Sequence, residues 1–309
     1  MLKNLFTILI LIFGNFQLGI ANNKKIITIN QFVSHPALDA VVNGIKQVLV
    51  DKKILPDQAE IKMANSQGSI ANSAQIATYQ ASLEPDIMIA IATPAAQSVF
   101  KSKSNRAILA FAAVTDPEAA GLSSSASIIG VSDNPPINEL LETTLKILPN
   151  IKTIGVIYNA GEINSVKMLS KLEGIADLKD IKIIKVAINS SSDIKLAAQK
   201  LIGKVDIIYV PQDNMVVSAL ESIIQLSLNA KIPIIANDPS LVEKGLFLAV
   251  GCDYFKSGIQ LGEMIADFMQ GKKIEPNIQQ SNIKELKING QIAKHLGILI
   301  PQEFNSKVQ

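Results

Sequence analysis

This chain predicts an α/β protein of two similar lobes, each a parallel sheet flanked by helices, on three observations. Apolar strand-like runs alternate with helix-like runs, the pattern of parallel sheets covered by helices. The alternation occurs twice in the same order. Two strands also end alike: "AILAFAAVTDPEAAGL" (Ala107–Leu122) stops at Thr115, Asp116 and Pro117. Its counterpart "KIPIIANDPSLVEKGL" (Lys231–Leu246) stops at Asn237, Asp238 and Pro239, before a short helix-like run that closes at Gly245.

The repeat holds unit by unit. "IITINQFVSHPALDAVVNGIKQVL" from Ile26 pairs with "TIGVIYNAGEINSVKMLSKLEGI" from Thr153, each a strand with a polar end followed by an amphipathic helix. "IKMANSQGSIANSAQIATYQASL" from Ile61 pairs with "IKVAINSSSDIKLAAQKLIG" from Ile184, and "PDIMIAIATPAAQSVF" from Pro85 with "KVDIIYVPQDNMVVSAL" from Lys204. The Asp-Pro strands complete four units per lobe.

Bulk composition agrees. The 309 residues, 48% hydrophobic and 18% charged, suffice for two ordinary cores, and a formal net charge of +2 gives no basis for binding nucleic acid. The opening "MLKNLFTILILIFGNFQLGIANN" has Lys3, an apolar run through Ile20, and small residues Gly19 and Ala21 around Ile20, which predicts a signal peptide over residues 1–21 and a mature chain from Asn22. A retained membrane anchor is the less favoured reading, because Gly14, Asn15 and Gln17 interrupt the run. No cysteine follows it to carry a lipid. The single cysteine, Cys252, can form no internal disulfide, and its apolar context predicts a buried thiol. Export without disulfides points to a bacterial periplasm.

Open parallel sheets bind ligands at the carboxyl ends of their strands, where helix N-termini present free N–H groups. The first lobe's strand ends supply Gln31, Phe32, Ser34, His35, Asn65, Ser66, Thr93, Thr115 and Asp116; the second's supply Tyr158, Asn159, Glu162, Asn164, Ser165, Asn189, Ser190, Asp213, Asn214, Asn237 and Asp238. Two such edges face to face make a cleft of fixed donors and acceptors without an obvious catalyst. Structural readings stand beside these. Thr93 before Pro94 suits a helix cap, Asp116 and Asp238 before proline suit turns, and Phe32 and Tyr158 serve equally as core plugs or ligand platforms. His35, one of two histidines, has no second histidine near it for a metal site. Nucleophile-elbow, phosphate-loop and dinucleotide glycine motifs are absent, as is paired metal-ligand spacing, so the chain reads as a binding protein without a cofactor rather than an enzyme.

The segments "NQFVSHPALDAVVNGIKQVL", "DIMIAIATPAAQSV", "FAAVTDPEAAGL", "GVIYNAGEINSV", "VDIIYVPQDNMVVSALESI" and "VGCDYFKSGIQLGEMIADFMQGK" together resemble the ABC-transporter substrate-binding proteins of the tryptophan-binding TrpX type, over nearly all of the chain from Lys25 to Pro301. The resemblance implies a type I periplasmic-binding-protein fold, crossed more than once by the chain. Residues 22–132 with about 254–280 would form the first lobe, and 133–253 with about 281–309 the second. It further implies a monomer that closes on a small molecule and delivers it to an ABC permease, the ligand being an amino acid with the aromatic ones favoured. Two departures stand out: many relatives have a proline after Tyr-Asn where this chain has Ala160-Gly161, and lipoprotein relatives carry a cysteine absent here. On this reading Asp116, Glu162, Asp213 and Asp238 suit a ligand ammonium, the helix start at Thr93 and Pro94 suits a carboxylate, and Phe32 or Tyr158 suits a ring. A periplasmic sensor domain, or a receptor for another small polar solute, is the alternative.

Overall fold

The computed structural model describes residues 24–122, 125–281 and 284–309; the segment read as a signal peptide lies outside them. The chain runs β1 (Lys25–Gln31), α1 (Pro36–Asp51), β2 (Ala59–Asn65), α2 (Ile70–Ser82), β3 (Ile87–Ile91), α3 (Thr93–Ser102), β4 (Ile108–Val114) and β5 (Ile128–Ser132). The second series is α4 (Ile137–Ile147), β6 (Thr153–Asn159), α5 (Ile163–Asp177), β7 (Lys182–Ile188), α6 (Ile194–Leu201), β8 (Ile207–Val210), α7 (Asn214–Ser218), α8 (Leu220–Asn229), β9 (Ile234–Ala236) and β10 (Leu248–Cys252). It closes with α9 (Tyr254–Met269), β11 (Ile278–Gln280), β12 (Lys284–Ile288) and α10 (Gly290–Leu296).

Two six-stranded sheets result, ordered β2-β1-β3-β4-β5-β11 and β7-β6-β8-β9-β10-β12. The first five positions match strand for strand, as the internal repeat requires, and all pair in parallel. The sixth differs: β11 joins β5 in parallel, whereas β12 runs antiparallel to β10. Central strands such as β3 (IMIAI) and β10 (LAVGC) are buried at every residue, so they read in sequence as unbroken apolar runs rather than as alternation. This is the type I periplasmic-binding-protein architecture. The chain passes between the sheets after β5, after β10 and after β11.

Helix α1 shows why the sequence folds locally as it does. Pro36 presets the first turn, and Leu38, Val41, Val42, Ile45, Val48 and Leu49 recur on one buried stripe. That stripe joins the first core, to which α9 returns Leu261, Met264 and Ile265. The two helices meet through glycines: a Cβ on Gly258 would strike the Val41 carbonyl, and one on Gly44 would strike the Phe255 carbonyl. Since α9 follows the second crossing, this contact fixes where the crossing leaves the second lobe.

Replacing Gly258 by Ala overpacks a backbone-to-backbone contact and is expected to cost about 1–3 kcal/mol, a drop of several degrees in melting temperature. A melting curve within one degree of the parent would contradict the close approach.

Candidate functional site: a closed cleft between the lobes

The carboxyl ends of both sheets converge on one narrow cavity of about 30 Å³ between the lobes, the place where open parallel sheets hold ligands. His35, Ala37 and Leu38 reach it from the start of α1, with Ala113 and Thr115 from the end of β4. The second lobe contributes Asn164 from α5, Val210 to Asn214 and Val217 around the start of α7, and Asn237, Asp238 and Leu241 after β9. Asp133 follows β5 and Tyr254 opens α9, so the first two crossings also line the cavity. At the end of β4 a register shift between Ala112 and Val114 leaves Ala113 at φ 55, a bulge that re-aims the chain just before Thr115.

The acids differ sharply in how they are satisfied. Glu162, fully buried, accepts from the Asn214 backbone N–H (3.2 Å), the Met215 N–H (3.1 Å), Asn164 Nδ2 (3.0 Å) and Asn214 Nδ2 (2.5 Å). Asp213 accepts from the Asn159 N–H (2.5 Å) and caps α7 through the Val216 N–H (2.9 Å). These two carboxylates hold the α7 turn together. Asp116 is also committed locally, accepting from the Ala119 N–H at 2.9 Å in its own turn. Asp238 takes the Ser240 N–H (2.9 Å) and hydroxyl (2.7 Å) on one oxygen. Asp133 is paired on one oxygen only: its Oδ2 receives Tyr254 OH (2.8 Å) and Gln212 Nε2 (3.0 Å), while its buried Oδ1 has no hydrogen-bond partner within 3.5 Å.

Burial pushes the carboxyls of Asp133 and Asp238 up to about 6 and that of Glu162 up to about 7, the last also through repulsion by Asp213. Burial lowers His35 to about 4, so its imidazole is neutral at pH 7. Its tautomer follows from the network. Asn214 spends its Nδ2 on Glu162, so the Oδ1 that lies 3.5 Å from His35 Nε2 is an acceptor, and Nε2 carries the proton. His35 Nδ1 is then a bare acceptor, and it too is buried without a partner. Asn164 donates from Nδ2 to Glu162 and to the Gln212 carbonyl (2.7 Å), leaving its Oδ1 buried and unpaired. Every unmatched buried side-chain atom on the cavity residues is therefore an acceptor, and no Lys or Arg lines it.

Of the residues singled out in the sequence, His35, Thr115, Asn164, Asp213, Asn214 and Asp238 meet in this cavity. Phe32 is packed in the core of the first lobe, and Tyr158 lies against the core of the second. Glu162 and Ser165 sit one layer behind the cavity wall, buried, and Asp116 lines an adjoining outer groove with Glu118, Asn134 and Lys171. Thr93 is the first residue of α3 rather than its cap; Ala92 holds the cap position at φ 80, ψ 157, a region that strains any residue but glycine, and Thr93 Oγ1 is buried without a partner outside the cavity. Asn237, also a strand-end candidate, lines the cavity as well, whereas Asp133, Gln212 and Tyr254 are not among the strand-end candidates. Extending the repeat by one unit, "IIGVSDNPP" against "LAVGCDYF", pairs Asp133 with Asp253 and so points to Asp133 and to the neighbourhood of Tyr254. No group of His, Cys, Asp and Glu among the described residues could hold a metal ion.

The lobes are closed. Gln212 of the second lobe accepts from the Thr115 hydroxyl of the first (3.4 Å), and His35 meets Asn214 across the cleft. The profile of the family described as ABC transporter substrate binding protein matches residues 26–308. The chain belongs to that family. It is 34% identical to a tyrosine-binding protein of Clostridioides difficile over 260 residues, 82% of this substrate-binding protein and 75% of the relative. An ABC domain from Streptococcus pneumonia solved in complex with L-Trp is 29% identical, covers 93% of this chain and 100% of its own, and superposes with a TM-score of 0.87. The ligand-free, open structure of a Clostridium difficile substrate-binding protein with adhesive properties is 32% identical over 92% and 98% of the two chains, with a TM-score of 0.68. At similar identity the complex is matched better than the open protein, in keeping with the hydrogen bonds that join the lobes here.

The displaced carboxyls fix a pH dependence. A carboxyl whose folded value lies above its ordinary 3.8 keeps its proton longer in the folded state, so its stability contribution is lost as pH rises from about 4 through about 6. His35, lowered from 6.5 to about 4, works in the opposite direction over the same window. Comparing the unliganded protein with its Asp238→Asn variant isolates one acid: the variant should match wild type near pH 4 and exceed it by about 2–3 kcal/mol near pH 7. An offset that does not change with pH would contradict the assignment.

Proposed function

We propose that this protein is the exported solute receptor of an ABC importer and that its cleft captures an aromatic amino acid between closing lobes for delivery to the permease. The observation that carries the ligand reading is the set of unmatched acceptors: Asp133 Oδ1, His35 Nδ1 and Asn164 Oδ1. An ammonium group offers three N–H donors and a positive charge, which is what such a set lacks. Without Lys or Arg in the wall, a carboxylate would rely on backbone N–H groups and neutral side chains, so the amine is the dominant recognition element. The remaining wall, including Leu38, Val210, Val217 and Leu241 with the ring of Tyr254, is apolar, in keeping with an apolar side chain on the ligand. The relatives whose names record L-Trp and tyrosine support the aromatic class. No helix among the described residues is long and apolar enough to cross a membrane, and the export reading rests on residues 1–21.

Calorimetric titration tests this with L-tyrosine, L-tryptophan and their deaminated propionate analogues. One of the two amino acids should bind and its deaminated analogue should not. Asp133→Asn should weaken binding about tenfold to more than a hundredfold, the range of a lost charge-assisted contact. Equal affinity for an amino acid and its deaminated analogue would sink the proposal.

A further inference from the structure

We infer that Gln212 is the positioning residue through which lobe closure aims Asp133 at the ligand; this rests on the ligand reading above. Gln212 follows β8 in the second lobe, yet its side chain ends among groups from the other lobe and from both crossings. Its Nε2 donates to Asp133 Oδ2 at 3.0 Å and to Tyr254 OH at 2.7 Å, while its Oε1 accepts from Thr115 Oγ1 at 3.4 Å. Tyr254 OH donates in turn to the same Asp133 Oδ2 at 2.8 Å. The amide orientation is thereby settled: both N–H groups and the carbonyl oxygen have complementary partners, and no flipped arrangement serves all three.

The consequence lies at Asp133. Two donors on Oδ2 hold the carboxylate in one rotation, which leaves the buried Oδ1 as the oxygen available to a ligand. One of those donors, Tyr254, stands at the second crossing and is near Asp133 by chain topology. The other arrives from the opposite lobe, so it is in place only when the lobes meet. The Gln212 carbonyl also accepts from Asn164 Nδ2 at 2.7 Å, which fixes the second unmatched acceptor, Asn164 Oδ1, from the same residue. Closure and the assembly of the amine subsite are thus one event. The other groups acting on Asp133 are the Thr115 hydroxyl from the end of β4 and Lys171 from α5, which favour its charge, and Asp238 after β9, whose charge opposes it; the nearby Cys252 thiol is held neutral by burial. Gln212 and Tyr254 are the two groups that hydrogen-bond to its Oδ2.

Stopped-flow and equilibrium binding of L-tyrosine and L-tryptophan across pH 5–8 test this with wild type, Gln212→Ala and the near-isosteric Gln212→Glu. Since closure follows encounter, Gln212→Ala should raise the dissociation rate about tenfold or more while the association rate stays within about twofold. Loss of a donor to the ionised carboxylate should also move the pH below which affinity falls to a higher value, and Gln212→Glu, which sets a second acid against Asp133, should move it further. A role confined to packing would lower the melting temperature of the unliganded protein without moving that midpoint. Wild-type dissociation rates and midpoints in both variants would overturn the inference alone. Failure of wild type to bind either amino acid would overturn the ligand reading and this inference with it.

Discussion

A buried carboxylate must find donors and a counter-charge or give up its own charge, and the cleft is organised by that constraint. Five acids stand at or near the strand ends, and the fold treats them differently. Glu162 and Asp213 are answered by N–H groups of the α7 turn and by amides, so they are part of the scaffold. Asp116 is answered within its own turn and Asp238 on one oxygen. Only Asp133 combines a fully bonded oxygen with a buried, unbonded one on the cavity wall. On the proposed reading a ligand cation would be met at this one place, with the remaining acids engaged in the wall around it.

The same constraint explains why the cleft lies where the chain crosses between lobes. Asp133 directly follows β5 and Tyr254 opens α9 after β10, and their mutual hydrogen bond ties the two crossings together on the cavity side. Relative motion of the lobes pivots about such crossings. On the proposed reading, a ligand bound to Asp133 would sit beside these crossings. Tyr209 adds rigidity behind the wall: its hydroxyl donates to Asn237 Oδ1 at 2.8 Å, and Asn237 in turn donates to the Val250 carbonyl.

The fold was legible because each unit of the duplication is a local signal. Strands such as Ile87–Ile91 and Leu248–Cys252 are buried on both faces, so their apolar runs carry no alternation to confuse with a surface strand. The site was legible where a polar residue follows within three residues of a strand end, as at Thr115, Asp213 and Asp238. It failed where two readings share one sequence pattern. Phe32 and Tyr158 also stand at strand ends, but the direction in which an aromatic ring turns is decided by packing: Phe32 turns into the first core and Tyr158 packs against the edge of the second. Glu162 and Asp213 look alike as strand-end acids, and what separates them from Asp133 is the number of N–H groups around each, which depends on three-dimensional contacts 52–54 residues apart in sequence. Gln212 carries no sequence signal at all, since a glutamine after a strand is ordinary until its partners are known.

The account's central claim is that the free oxygen of Asp133 receives the ligand's ammonium in the closed cleft. A crystal structure of the protein with L-tryptophan or L-tyrosine tests it most directly. The account predicts the ammonium nitrogen within hydrogen-bonding distance of Asp133 Oδ1, about 2.7–3.2 Å, with Gln212 still bonded to Oδ2. An ammonium bound instead at Asp116 in the outer groove, or a ligand lying in the cavity with Asp133 Oδ1 left unpaired, would contradict it.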